Sequence, residues 1–408
     1  MQLRRLLLAV SVVVIFWSSA ARAAPPLEVS IDFEGGSAQV ESIDQEARLV
    51  KIVPTPHADR GWHCWWYLKL AGIEPGETIT LDVGNGSWAT PDRAAVTLDG
   101  RCWQQTAPGR RQGKRIVYRH TIDAAEAWLA WGPAFTPAQG RALVERIARA
   151  HDFAAEFKLC NTRGGRPTPA LRIARPSAEP KVGIWIQARQ HAWEVGSSWV
   201  LKGFADWLVS DDARAKSLRR EAEIVLVPIM DVDNTAIGAG GKEQKPHDHN
   251  RDWSDDPHWR SVAAAIAEIQ RMDAAGRFDV FIDLHNPGAG SHRPFFYIAP
   301  DEILTDVGRA NLDRFLEDAR REITGPLRLA EKAQVTGSNY DKRWRRISKN
   351  WVVEHTAPHV VAVTLETAWN TPHSTVQGYE TVGRQLGRAV QRYLQTDPRQ
   401  PPMEAAGD

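Results

Sequence analysis

From Leu27 to Cys160 apolar and polar positions alternate over short runs: SIDFEGG, ARLVKIV, HCWWYLKL, ETITLDVGNGS, AAVTLDG, RIVYRHTI and EAWLAWG. Alternation with a period of two turns one face of each run toward a core. The Gly, Pro, Asp and Asn residues between the runs mark turns, so the region reads as a β-sandwich of short antiparallel strands. One segment breaks the pattern, since TPAQGRALVERIARAHDF spaces its apolar residues as a helix does. The tryptophans here, Trp62, Trp65, Trp66, Trp88, Trp103, Trp128 and Trp131, are read as sandwich core rather than as a stacking platform for sugars or peptides, because large aromatics are mostly buried.

TRGGRPTPALRIARPSAEPK, rich in Gly and Pro, then marks a boundary, and the sandwich domain is placed at residues 24–165. Beyond it VGIWIQA, EIVLVPIMD, FDVFIDLH, FFYIAP and VVAVTLET are continuous apolar runs, the pattern of strands buried on both faces. VGSSWVLKGFADWLVS, HWRSVAAAIAEIQRMDAAG, TDVGRANLDRFLEDARREI and YETVGRQLGRAVQRYLQ are helix-like segments between or after them. Strand and helix alternating in this way predict an α/β domain over residues 166–399, with a mixed, largely parallel sheet flanked by helices. Reactive groups in such sheets gather at the carboxyl ends of the strands. Residues 400–408 read as a flexible tail.

The first 23 residues stand apart from this fold. Two arginines, the apolar run LLLAVSVVVIFW and then SSAARA, with Ala21 and Ala23 in the A-x-A relation, read as a secretory signal cut after Ala23. The apolar run is shorter than the roughly 20 residues of a bilayer span. The expected location is the periplasm or the outside of the cell, with no stable membrane insertion after cleavage. Lys and Arg total 51 against 50 Asp and Glu, and no long run has one sign, which argues against nucleic acid or an anionic membrane as partner. Three cysteines are too few for a disulfide scaffold. Export would allow Cys64 and Cys102 to pair, while Cys160, in FKLC, reads as a buried hydrophobe.

Candidate chemistry begins at QARQHAWEVGSSW, where His191 and Glu194 follow the VGIWI run three positions apart. An ordinary surface turn has the same spacing, so a third ligand decides. Catalytic zinc sites take three protein ligands and leave one position for water, and two His with one Glu is an established set. His285 stands at the carboxyl end of the FDVFIDLH run and ranks above His292 in GAGSH and above His247 and His249 in PHDHNRDW, which read as loop histidines. Asp283 is placed to serve as an outer carboxylate. Asn250 and Arg251 suit a substrate carboxylate, because a guanidinium binds one with two parallel hydrogen bonds and an amide adds a third. Glu366 ends the VVAVTLE run, where a buried carboxylate is costly unless something uses it; beside an activated water it can act as general base.

Taken in chain order, ARQHAWEVGSSWVLKGF, DHNRDW, DLHNPG and VTLETA resemble the motifs of the zinc metallocarboxypeptidase family, in the clan of carboxypeptidase A. The resemblance is closer to the branch like cytosolic carboxypeptidases, with its bacterial relatives, in which a β-sandwich precedes the catalytic domain. It implies one zinc ion held by His191, Glu194 and His285, with Asn250 and Arg251 as the clamp on the C-terminal carboxylate of a peptide substrate. It also implies Glu366 as general base and acid in cleaving the C-terminal peptide or isopeptide bond. Where the family has an arginine that polarises the scissile carbonyl, Lys242 falls nearest. Tyr340 is the candidate for the tyrosine that caps the substrate, with Trp344 its rival, and Trp193 inside the HxxE turn either walls the pocket or packs. Lys242, Lys245, Arg293 and Arg343 are the cations available to floor a pocket for an acidic side chain.

Two other functions stay open on the sequence. One keeps the zinc and the fold but acts as an amidase or deacylase on N-acyl amino acids. The other is an inactive zinc-containing protein that binds peptides or cell wall through its tryptophan-rich domain.

Overall fold

In the computed structural model, which describes residues 24–84, 89–175 and 180–400, the first ten strands form two five-stranded sheets. They are β1 (Glu28–Ser30), β2 (Gln39–Asp44), β3 (Leu49–Val53), β4 (Tyr67–Ala71), β5 (Glu77–Val83), β6 (Ala95–Thr97), β7 (Gln104–Gln105), β8 (Arg110–Gln112), β9 (Arg115–Ile122) and β10 (Glu126–Ala130). One sheet runs β1-β4-β10-β6-β7 and the other β2-β3-β5-β9-β8. The expected antiparallel sandwich is present with one exception, since β3 and β5 pair in parallel. Between them the chain crosses to the other sheet as β4. Trp65, Trp66 and Trp131 are buried in the core; Trp103 and Trp128 pack partly buried against it. Trp88, the signal-like stretch and residues 401–408 lie outside the described residues.

Helix α1 (Pro137–Ala150) follows, opened by a reciprocal cap: Gln139 N donates to Thr136 Oγ1 at 3.3 Å and Thr136 N donates to Gln139 Oε1 at 2.7 Å. The hairpin β11 (Ala154–Asn161) and β12 (Pro167–Ile173) then joins the second sheet rather than the sandwich. The boundary placed at residue 165 therefore falls inside a hairpin. Its Gly-rich sequence serves a tight turn, in which Thr162 N donates to Arg166 O at 2.8 Å and Gly165 adopts φ +82°.

The remaining strands are β13 (Val182–Ala188), β14 (Ala222–Val227), β15 (Val280–His285), β16 (Phe295–Ile298), β17 (Gln334–Val335) and β18 (Val361–Glu366). The eight-stranded sheet runs β11-β12-β14-β13-β15-β18-β16-β17. Its centre, β14-β13-β15-β18, is parallel, and β11, β12 and β16 add antiparallel neighbours. Helices α2 (Val195–Leu208), α3 (Ala213–Glu221), α6 (Asp306–Glu322) and α8 (Val376–Tyr393) pack together beside it, with α2 and α6 touching its strands. Residues of α5 (Arg260–Ala274) and α7 (Ser348–His355) form a second cluster with Trp185, Val225, Phe281 and Ala362. The short helices α3, α4 (Val232–Ile237) and α7 were not expected from the sequence, because so few turns hold little periodicity.

Helices α2 and α8 cross where Gly383 meets the backbone of Val200, and a Cβ at Gly383 would overlap the Val200 carbonyl oxygen. Gly383→Ala is expected to force the helices apart and to cost about 1–3 kcal/mol. A lowered thermal midpoint and an earlier urea transition would register this.

Candidate active site

Strands β13, β15 and β18 end at one edge of the sheet. Ala188 pairs with Leu284, and His285 pairs with Glu366. Just past β13, Arg189 takes φ +63°, and its buried guanidinium donates to the carbonyl oxygens of Phe135 and Ala192, which fixes the turn that follows. Within that turn Glu194 N donates to His191 O at 3.2 Å, and Glu194 then caps α2, its carbonyl accepting from Ser197 N at 3.1 Å. His191, Glu194 and His285 are all buried and offer ligand atoms within 4.8 Å of one another. His191 Nδ1 lies 2.7 Å from Glu194 Oε1, and His285 Nδ1 lies 2.6 Å from Glu194 Oε2.

The outer nitrogens face two more carboxylates. His285 Nε2 is 2.9 Å from Asp283 Oδ2, and His191 Nε2 is 3.5 Å from Asp248 Oδ1. Asp283 thus stands where the sequence placed it; Asp248, two residues ahead of Asn250, was not anticipated. Asn286 ties the edge together, its Oδ1 accepting from Ser197 N at 3.2 Å and its Nδ2 donating to Thr367 O at 2.6 Å. Burial works to lower the His285 pKa, but the Asp283 and Glu194 carboxylates hold it well above the usual range. Both imidazoles turn Nδ1 inward beside one carboxylate, a nitrogen and oxygen donor set that suits zinc. Carboxylates behind their outer nitrogens orient such rings toward a metal. The residues therefore fit one zinc ion.

Beside this cluster lies a cavity of about 190 Å³. Glu366 lines it, with Oε2 lacking any hydrogen-bond partner. Burial, reinforced by the Glu194 charge, pushes its carboxyl up to about 8, against the opposing effects of His285 and Lys242. Asn250 and Arg251 line the same cavity. Arg251 Nε donates to Asp341 Oδ2 at 2.9 Å and its Nη1 to Asn250 O at 2.9 Å, which leaves Nη2 for a ligand. Tyr340 is 45% exposed at the rim, with the Arg251 guanidinium 5.9 Å from its ring centroid. Trp344, its rival, is buried and does not line the cavity. Lys242 and Trp193 do line it.

The rival histidines stay out of the cluster, as expected, while the suggested pocket cations need correction. His249 is stacked on Trp259 and bonded to Gln244, while His247 pairs with Asp252, so both serve the loop. His292 is exposed, as are Lys245, Arg293 and Arg343, so of the cations suggested as a pocket floor only Lys242 reaches the cavity. The floor instead contains Lys349, fully buried on α7, its Nζ donating to Thr336 Oγ1 and Asn350 Oδ1 at 2.5 Å each. Burial pulls its pKa well below the ordinary lysine range. Flanked by Ser348 and Asn350 in RISKNWVV, Lys349 gave no signal of burial in the sequence. Tyr297, also on the cavity wall, packs its ring 5.3 Å from Tyr340. The three cysteines are free: Cys64 is buried and Cys102 exposed, so the pairing that export would permit is not formed.

Fold and site together define an enzyme of the α/β class built around a single-metal centre. The family described as zinc carboxypeptidase matches residues 141–370, more than half of the chain. The protein belongs to the zinc carboxypeptidase family. It is 25% identical over 292 residues to an uncharacterised protein of Zymomonas mobilis, covering 70% of this chain and 73% of that one. Cytosolic carboxypeptidase 1 of Danio rerio is 32% identical over 314 residues, covering 64% of this chain; the chain spans 27% of that relative's length. A metallo-carboxypeptidase of Burkholderia cenocepacia shares the fold with a TM-score of 0.77 at 20% identity, over 91% of this chain and 99% of that one. A Pseudomonas aeruginosa metallo-carboxypeptidase, solved with (2-guanidinoethylmercapto)succinic acid, has a TM-score of 0.73 at 19% identity, over 90% and 99% of the two chains.

If Asp248 orients His191, Asp248→Asn should weaken zinc binding by about 10–100-fold. Competition against a chromogenic chelator measures this. Circular dichroism should stay unchanged, because the substitution preserves volume.

Proposed function

We propose that this protein is a zinc metallocarboxypeptidase that removes the C-terminal residue of a peptide. One observation carries the proposal: the clamp residue Arg251 and the unpartnered oxygen of Glu366 open on the cavity beside the His191, Glu194 and His285 cluster. When bound there, zinc supplies Lewis-acid polarisation of the scissile carbonyl and a water acidified toward neutrality. Arg251 and Asn250 bind the terminal carboxylate and thereby orient the last peptide bond across the cavity. Glu366 accepts the proton of the attacking water and returns it to the leaving amine. Lys242 steadies the negative charge that develops on the carbonyl oxygen. Tyr340, at the rim, covers the bound residue.

The floor gives the proposal its substrate preference. Among the described residues Lys349 is in no ion pair, its ammonium meeting only a hydroxyl and an amide, so an acidic side chain entering the cavity would give it one. We further propose that the protein is exported, on the strength of the charged, apolar and small-residue pattern in residues 1–23. N-terminal sequencing of the native protein should then start at Ala24.

A peptide library with free and amidated C-termini, read by mass spectrometry, tests the activity. Single C-terminal residues should be lost from the free peptides alone. Turnover confined to N-acyl amino acids would make the protein a deacylase instead. Glu366→Gln should lower kcat by about 10²–10⁴-fold while zinc content stays at that of the wild type.

Within the same library, Glu and Asp should lead among residues released. Lys349→Met should reverse that order in favour of apolar residues, measured as the ratio of kcat/KM for matched peptides.

A further inference from the structure

A loop of the sandwich reaches the cavity. Trp62, which follows β3 and precedes β4, lines it together with Trp193 and Lys242. The Trp62 and Trp193 rings stack with centroids 6.1 Å apart and planes at 30°. Lys242 Nζ stands 5.5 Å from the centroid of the Trp62 ring, close enough for the ring face to attract the ammonium.

The two loops are also laced main chain to main chain. Trp62 N donates to Lys242 O at 2.9 Å, Gly241 N to Arg60 O at 2.8 Å, and Lys245 N to Asp59 O at 2.9 Å. An ion pair of 2.7 Å between Lys245 Nζ and Asp59 Oδ1 closes the far end. This approach requires glycine at Gly61, which adopts φ +86° and where a Cβ would overlap the Lys242 carbonyl oxygen.

Lys242 is the cavity cation with freedom to act. Among the described residues it is in no ion pair, whereas Arg251 is tied to Asp341 and Lys349 to Thr336 and Asn350. A lysine is a point charge on a flexible stem, and a flexible donor stabilises a developing oxyanion poorly unless its position is set beforehand. The strap sets the backbone of Lys242, and the indole sets its ammonium.

We infer that the sandwich loop Asp59–Trp62 is a working part of the active site, with Trp62 the positioning residue that holds Lys242 over the reacting carbonyl. This rests on the carboxypeptidase function proposed above. It makes catalysis depend on a domain that carries no metal ligand.

The test uses the full-length, zinc-loaded protein and a peptide cleaved by the wild type. Trp62→Ala should lower kcat about tenfold and leave KM within about twofold, and Trp62→Phe, which keeps a ring face, should recover most of the loss. Lys242→Ala should cost about 10²–10³ in kcat. The double variant should be no worse than Lys242→Ala alone, because the indole acts through the lysine. Gly61→Ala, which spreads the strap with the indole intact, should lower kcat as Trp62→Ala does. Melting temperature and zinc content report on folding in each case. Three results would overturn the inference: an unchanged kcat in Trp62→Ala, a rise in KM alone, or a Trp62→Ala loss that multiplies with that of Lys242→Ala. A wild type that releases no C-terminal residue from any peptide refutes the proposed activity instead. A crystal structure of Trp62→Ala then decides the strap, since Lys242 unmoved in it would refute positioning.

Discussion

Across the centre of the large sheet Asp283 sits opposite Gln187 on one side and Thr364 on the other. This pairing fixes how the ends of β13, β15 and β18 meet. Side chains alternate along a strand, so a slip of one residue would send His285 or Glu366 to the other face. In the register observed, His285 lies directly across from Glu366, with strands about 4.8 Å apart. Parallel strands that end level pass the chain into turns at a common edge, and there the HxxE turn meets them.

The two faces of the sheet are built differently at that edge. On one face Ile184, Ile186, Ile282, Leu284, Val363 and Leu365 stay apolar to the end. On the other, Trp185, Phe281 and Ala362 give way to Gln187, Asp283 and Thr364. A buried polar row is costly unless its bonds are met. Asp283 Oδ2 accepts from Gln190 Nε2 at 2.5 Å and from Ser348 Oγ at 2.6 Å, besides its contact with His285. The amides are in turn anchored by indoles, as Gln190 Oε1 accepts from Trp253 Nε1 and Gln187 Oε1 from Trp185 Nε1, both at 2.9 Å. The orientation of one imidazole is thereby set by residues that do not themselves line the cavity. Ser348 also places the floor, because Lys349 is the next residue on α7.

What could be read from the sequence was whatever a strand end announces locally. His285 and Glu366 terminate apolar runs, and His191 with Glu194 follows another, so three elements pointed to one edge before any contact was known. Asp248 was not legible, since its role depends on where a loop folds back on His191. Lys349 was hidden for a related reason, as α7 is too short to show a period and its burial comes from packing with other elements. The Gly and Pro residues near residue 165 misled because a hairpin turn and a domain linker draw on the same residue types.

The tryptophans bear on how far the two domains are separate. Trp131, in the sandwich, packs 5.2 Å from Trp193 and 4.5 Å from Trp369. Trp193 belongs to the turn between His191 and Glu194, and Trp369 follows Glu366 by three residues. Such ring pairs contribute about 0.5–1.5 kcal/mol each beyond the area they bury. The sandwich therefore presses on the turn that carries His191 and Glu194 and on the segment that carries Glu366, through a core continuous across both domains. A chain beginning at residue 166 would keep His191, Glu194, His285, Asn250, Arg251 and Glu366 but lose β11 and the Trp131 ring that packs on both Trp193 and Trp369. Two apolar surfaces, one of them on the cavity wall, would then face water, and Glu194 and Glu366 would lose a common support. The site residues are encoded after the sandwich, but their rigidity is encoded partly within it.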